Sequence, residues 1–124
     1  MAIKINNIKA TNIDLTPAIK EYVVTRINSL EKLVDQKDTS INTDIEVGKT
    51  SNHHKSGDIF RAEINLYIGG KNFRSESVNK DLYSSIDEAK EDLSRILNNF
   101  KDKSFYKKKR GGALLKRLLR GLKS

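Results

Sequence analysis

Residues 60–77 read FRAEINLYIGGKNFRSES. Before the paired glycines, apolar side chains alternate with polar ones, which is typical of a strand with one buried face and one solvated face. The inward positions are Phe60, Ala62, Ile64, Leu66 and Ile68. Gly69-Gly70 indicates a two-residue hairpin turn, because glycine adopts a positive φ at no steric cost. The stretch therefore predicts two antiparallel strands, over residues 58–68 and 71–78.

Two earlier segments alternate in the same way and predict two further strands. In residues 2–8, Ile3 and Ile5 share one side. In residues 40–48, the inward positions are Ile41, Thr43, Ile45 and Val47. Every predicted strand thus has one apolar face, and the opposite face is left to water.

Helical periodicity predicts a helix over residues 17–34 and another over about 80–103. The first follows Thr16, a good N-cap, and begins at Pro17, whose missing N–H is harmless at the first helical position. The apolar stripe of the second consists of Leu82, Tyr83, Ile86, Ala89, Leu93, Ile96, Leu97 and Phe100. The order of elements predicts an α+β fold, β-α-β-β-β-α, in which one four-stranded sheet has both helices packed on one face. The first two strands, if neighbours, are parallel.

The charge of the chain is unevenly distributed. Of 124 residues, enough for one domain, the first 102 carry 15 basic and 16 acidic side chains, whereas residues 103–124 carry nine basic and no acidic ones. We therefore expect a near-neutral domain over residues 1–103 and a basic tail over residues 104–124. A basic segment of this kind favours a polyanionic partner, above all a nucleic acid. An acidic membrane surface and a merely solvated tail are the alternatives.

The tail combines a basic run with a short amphipathic pattern. Lys107, Lys108, Lys109 and Arg110 precede Gly111-Gly112. Leucines then recur at helical spacing, and the basic residues Lys116, Arg117 and Arg120 lie between them. A helix this short is marginal in water. It is expected to become ordered on RNA, and binding to a membrane surface is the alternative.

The sequence favours a binding module over an enzyme, with no cofactor and no metal. The chain has no cysteine, and its only histidines, His53 and His54, are adjacent in a polar loop without the spacing of a metal site. The acidic residues of the second helix interleave with Lys90 and Arg95, which favours local ion pairs. No apolar run is long enough to span a bilayer and no signal-peptide core is present, so a cytoplasmic location is expected.

Two blocks of sequence resemble the ribosome hibernation-promoting factor family, also called ribosome-associated translation inhibitors. They are NNIKATNIDLTPAIKEYVVTRINSLEKL at residues 6–33 and SVNKDLYSSIDEAKEDLSRIL at residues 77–97. With the order of elements, the resemblance covers about residues 1–103. It implies a fold like that of a double-stranded-RNA-binding domain. It also implies binding to the small ribosomal subunit between head and body, which blocks messenger RNA and A- and P-site transfer RNA and so inhibits translation under stress or in stationary phase.

The resemblance also implies roles for single residues. Contacts to ribosomal RNA would come from Lys20, Arg26, Arg95, Lys101 and Lys103, with Lys32 a less close match. Lys90 is added because it lies on the predicted outer surface of the second helix, and the basic residues of the tail extend the set. Asp81 and Tyr83 are expected to be structural, at the start of the second helix and against the domain.

The chain departs from the family pattern at two points. Asp92 stands where members often carry a lysine, and the further basic residue that members often have near Asn99 is missing, so the helical surface is expected to be weaker in charge. The residues after Lys103 are too few for the dimerisation domain of long members, and a short form without it is expected. The runner-up interpretation is a general structured-RNA-binding or RNA-chaperone domain, and a third is a membrane-surface adaptor held by the leucines of the tail.

Overall fold

The structure, a computed structural model, describes residues 3–35, 37–50 and 57–106, with side chains as far as residue 100. The predicted order of elements is confirmed. The strands are β1 (Lys4–Thr11), β2 (Asn42–Lys49), β3 (Phe60–Ile68) and β4 (Lys71–Asn79), and the helices are α1 (Pro17–Asn28) and α2 (Leu82–Tyr106).

The four strands form one sheet in the order β1-β2-β3-β4. β1 and β2 are parallel neighbours, as expected, and the other two pairs are antiparallel. At the hairpin between β3 and β4, Ile68 lies opposite Lys71, and Gly69 and Gly70 have φ values of 55° and 81°. The turn thus uses the conformational freedom that the two glycines provide.

The core lies between the helices and one face of the sheet. The predicted inward positions of β2, β3 and β4 are buried, except that Phe60 is half-buried. Two inward polar side chains make hydrogen bonds: Thr43 donates to the carbonyl of Asn65 at 2.6 Å, and Ser75 donates to the carbonyl of Ala89 at 2.8 Å. Because a buried hydroxyl without a partner is costly, these bonds let the apolar face tolerate two polar positions.

The predicted end of the first strand, at residue 8, is wrong. The pairing of β1 with β2 shifts between Ile5 and Asn7, so one extra residue, Asn6, is inserted as a β-bulge. The bulge restores Ile8 and Ala10 to the inner side, where both pack against the core. The alternation of inward and outward side chains is interrupted at Asn6 and resumes after it. The strand therefore continues to Thr11.

The predicted first helix, over 17–34, is too long. α1 begins as expected, with the Thr16 hydroxyl accepting from the N–H of Ile19 at 3.2 Å. It ends at Asn28, and a 3-10 turn follows at Glu31–Leu33. Apolar residues spaced three apart fit a 3-10 turn as well as an α-helix, so periodicity alone does not locate this end. The second helix, expected over 80–103, runs instead from Leu82 to Tyr106.

Replacing Gly48 by alanine should destabilise the fold. A Cβ atom built at Gly48 collides with the carbonyl oxygen of Thr11 in the neighbouring strand. The new Cβ is fixed to the backbone of β2 and the oxygen belongs to the backbone of β1, so neither atom can turn away. Relieving the clash therefore requires β1 and β2 to shift, at a cost of about 1–3 kcal/mol. Urea unfolding of Gly48→Ala measures this loss, with Asn72→Ala on the exposed side of β4 as the control. Equal unfolding midpoints for both variants would show that β1 adjusts freely.

Candidate nucleic-acid interface

Three side chains link the two helices. The Arg26 Nε donates to Asp87 Oδ1 at 2.6 Å, and the Tyr22 hydroxyl donates to Asp87 Oδ2 at 2.7 Å. Arg26 also donates to the Tyr22 hydroxyl at 2.9 Å, and its guanidinium lies 4.3 Å from the centre of the Tyr22 ring. We call Tyr22, Arg26 and Asp87 the interhelix cluster. It fixes the position of α1 beside α2, because each member contacts the other two.

The electrostatics of the interhelix cluster favour the ion pair. Partial burial raises the pKa of Asp87, but the hydrogen bonds from Arg26 and Tyr22 outweigh it and hold that pKa below its usual value. The hydrogen bond to the Asp87 carboxylate raises the pKa of Tyr22 above its usual value. Asp87 is therefore ionised and Tyr22 is neutral at neutral pH, which is the state that the hydrogen bonds need.

The two basic residues of α2 whose side chains the structure describes are also paired. Lys90 Nζ lies 2.9 Å from Glu91, and Arg95 lies 3.1 Å from Asp92. Asp92 therefore partly offsets the charge of Arg95 on the surface of the helix. The side chain of Arg95 is 68% exposed, against 35% for Arg26 and 18% for Lys90. An exposed pair is weak, so Arg95 can exchange Asp92 for a phosphate at little cost.

The remaining basic residues of the proposed set lie in different places. Lys20 and Lys32 are exposed, and neither forms an ion pair with any residue in the described part of the chain. Lys20 faces β1, whereas Arg26 faces α2, so the structure separates these two residues of α1. Lys101 and Lys103 lie in the last turns of α2. The tail residues Lys107, Lys108, Lys109, Arg110, Lys116, Arg117 and Arg120 lie outside the described residues.

The start of α2 is held by Asp81. Its carboxylate accepts from the N–H of Ser84 at 2.9 Å and from the Ser84 hydroxyl at 2.8 Å, as an N-cap does. Tyr83, one turn before Asp87, packs edge-to-face on Tyr22, with ring centres 4.7 Å apart. Both residues therefore support the helix pair from the start of α2.

Sequence reasoning missed the polar role of Tyr22. The spacing of Tyr22 and Arg26 places both on one side of α1, which was a usable signal. Asp87 follows Arg26 only after three intervening strands, so no spacing rule connects the two. The interhelix cluster becomes visible only when both helices lie on the same face of the sheet.

On the open face of the sheet, glutamates and arginines of neighbouring strands pair with one another. Glu46, Glu63 and Glu76 lie directly opposite one another in β2, β3 and β4, an arrangement that is unfavourable for like charges. The Arg61 guanidinium contacts all three, at 3.6 Å from Glu46 and 3.1 Å from Glu63, and Arg74 bridges Glu63 and Glu76. A hydrogen bond from Thr11 is the main cause that lowers the pKa of Glu46. A polyanion at this face would meet three carboxylates whose arginines are already occupied.

Two other kinds of site receive no support from the part of the chain that the structure describes. Within residues 3–35, 37–50 and 57–106, no group of three acidic or histidine side chains is arranged to hold a metal ion. In the same residues, neither helix has the length and apolar character that crossing a bilayer requires.

A family model described as Sigma 54 modulation protein / S30EA ribosomal protein matches residues 6–104. The chain belongs to this family. The matched region contains both helices up to the last turn of α2 and nearly the whole sheet. The match to the family therefore depends on the folded domain and not on the basic residues that follow it.

Several curated relatives carry the name ribosome hibernation promotion factor, and two of them show the extent of the match. The protein of Bacillus subtilis is 32% identical over 97 residues, which cover 78% of this chain and 48% of that protein. The protein of Picosynechococcus sp. is 29% identical over 101 residues, which cover 82% of this chain and 51% of that protein. The chain thus spans about half the length of these two relatives.

A solved structure supports the fold assignment. The crystal structure of the Thermus thermophilus Protein Y N-terminal domain matches with a TM-score of 0.65 and 25% identity, covering 78% of this chain and 98% of that domain. The arrangement of two helices on one face of a four-stranded sheet is therefore shared with this domain.

Replacing Asp87 by asparagine should reduce stability in a pH-dependent way. Folding lowers the pKa of Asp87. Its ionised form therefore stabilises the native state at pH values above its ordinary pKa of about 3.9. This stabilisation is lost as the pH falls through the pKa of the folded state. The difference in unfolding free energy between the native chain and Asp87→Asn should therefore have its largest value at neutral pH and decrease below about pH 4. Urea unfolding at a series of pH values measures it.

The control for this experiment is an Arg26→Gln background. Since Arg26 is the principal partner of Asp87, adding Asp87→Asn to Arg26→Gln should cost less than adding it to the native chain. An Asp87→Asn effect that is independent of both pH and Arg26 would contradict the account of the interhelix cluster.

Proposed function

We propose that this protein is a ribosome hibernation factor. It binds the small ribosomal subunit at the decoding region, between head and body, and blocks messenger RNA and A- and P-site transfer RNA. The observation that carries the proposal is the family match over residues 6–104, together with the names of the relatives. It acts by occlusion, without catalysis or a cofactor, in the cytoplasm, and it inhibits translation under stress or in stationary phase.

The helical side of the domain is the proposed RNA-binding face. Ribosomal RNA presents a dense phosphate surface whose shape a rigid protein can match without reading bases. The interhelix cluster provides that rigidity by linking α1 to α2. The open sheet face is a poor alternative, because Arg61 and Arg74 are engaged by the three glutamates.

The charge that drives binding is divided between the helices and the tail. On the helices, Arg95 and Lys20 are the most available basic groups, because Arg95 is largely exposed and Lys20 has no ion-pair partner among the described residues. Arg26 is committed to Asp87 and would act mainly by holding the helices in place. Residues 103–124 then supply the net positive charge for attraction to the phosphates.

The proposal predicts inhibition that depends on the helical face. Added to a bacterial translation reaction, the native chain should block initiation and cosediment with small subunits. Lys20→Glu combined with Arg95→Glu should weaken binding by on the order of tenfold or more, because two attractions become repulsions. Lys71→Glu combined with Lys80→Glu, two exposed reversals at the start of β4 and between β4 and α2, is the matched control and should behave as the native chain.

Two results would contradict the proposal. One is unchanged initiation and sedimentation at saturating protein. The other is removal of the protein from ribosomes by excess duplex RNA, which would instead indicate a general structured-RNA-binding domain without a dedicated ribosomal site.

Truncation after Tyr106 tests the role of the tail. The shortened chain retains all of α2 but loses eight basic residues. Affinity for small subunits should fall, and its dependence on salt concentration should become shallower, because fewer counterions are released from the RNA. Binding measured at several salt concentrations gives the slope. An unchanged slope would show that the tail makes no phosphate contacts.

A further inference from the structure

A groove of about 640 Å³ runs between β1 and α1. β1 is the edge of the sheet, and none of the described residues pairs with its outer side. The inner side of β1 is incompletely covered, since Ile5 and Ile8 are only half-buried. Leu15, which is 36% exposed, and Val24 line the groove as well. An unpaired strand edge therefore borders an open surface that is about half apolar.

The polar lining of this groove is basic. Lys4 and Lys20 are both exposed, and neither is ion-paired with a residue that the structure describes. Asn6 and Asn7 complete the polar lining, and no described side chain in the groove is acidic. The groove thus offers apolar contact, free backbone groups and two uncompensated positive charges.

We propose that this groove binds an extended acidic segment of a partner protein, which joins the sheet as a fifth strand beside β1. Main-chain groups of the segment would pair with the free edge of β1, which is how peptides commonly add to exposed strands. In an extended chain, alternate side chains point to opposite sides, so one set packs on Ile5, Ile8 and Val24. Carboxylates of the alternate set meet Lys4, and Lys20 on α1 adds attraction at longer range.

Other occupants fit less well. A second copy of the chain, pairing edge to edge, would set lysines of β1 against lysines of β1. The chain's own residues 107–124 carry eight basic and no acidic side chains, so Lys4 and Lys20 repel them. Single-stranded RNA usually needs aromatic side chains for base stacking, and no described residue lining the groove is aromatic.

The test is peptide binding by the full chain without ribosomes, so that its outcome is independent of the proposed ribosomal function. The probe is a short fluorescein-labelled peptide in which glutamate and valine alternate, followed by fluorescence anisotropy. It should bind, and binding should weaken as salt is added. A peptide of alternating lysine and valine, and an N-methylated form of the acidic peptide, should not bind, because one has the wrong charge and the other lacks the N–H groups for strand pairing.

Three variants locate the site. Lys4→Glu combined with Lys20→Glu should weaken binding by on the order of tenfold or more. Val24→Thr, which replaces one methyl group by a hydroxyl of similar size, should weaken it several-fold, on the order of one buried methyl contact. Lys71→Glu, at the start of the opposite edge strand, is the control and should bind as the native chain does. Thermal unfolding of each variant shows whether the fold is retained.

Hydrogen exchange distinguishes strand pairing from simple charge attraction, because attraction between surface charges alone would not slow the exchange of backbone amides. Amides of residues 4–11 that lack partners at the sheet edge should exchange more slowly when the acidic peptide is bound. The proposal is overturned if the acidic peptide fails to bind, if the lysine peptide binds equally, or if protection appears away from β1. Displacement of the peptide by poly(U) at equal concentration would also overturn it and assign the groove to RNA.

Discussion

The four strands bury apolar side chains on one face only, and both helices must therefore cover that face. This constraint places α1 beside α2 and gives them one outer surface, where Arg26 meets Asp87. It also leaves the other side of the sheet in water, where three glutamates of adjacent strands stand opposite one another. Arg61 and Arg74 offset that repulsion, so two of the basic residues that the sheet provides are used within the fold.

The fold was predictable to the extent that local pattern determines it. Alternation along residues 60–68 and the Gly69-Gly70 turn specify the β3–β4 hairpin, because both are properties of neighbouring residues. The bulge at Asn6 and the end of α1 at Asn28 were not predictable in this way. An inserted residue looks like the end of a strand, and apolar residues three apart suit a 3-10 turn as well as a helix.

The candidate site was less predictable than the fold, because the availability of a charge depends on its partner. In the sequence, Arg26, Lys90 and Arg95 are equivalent basic residues on helices. The structure pairs each with a carboxylate and leaves only Arg95 highly exposed. The partners of Lys90 and Arg95 lie within three residues, whereas Asp87 reaches Arg26 only through tertiary packing. We propose that the helices and the tail bind RNA and that the β1 groove binds an acidic strand, and Lys20 lies where these two surfaces meet.

The claim that the helical side faces ribosomal RNA is tested most directly by site-specific cross-linking. The chain has no cysteine, so single cysteines can carry a photoreactive group without other changes. Asn98→Cys places the group on the exposed side of α2, and Asn72→Cys places it on the open side of the sheet. We expect cross-links to small-subunit ribosomal RNA from position 98 and few or none from position 72. Cross-links from position 72 with none from position 98 would contradict the account.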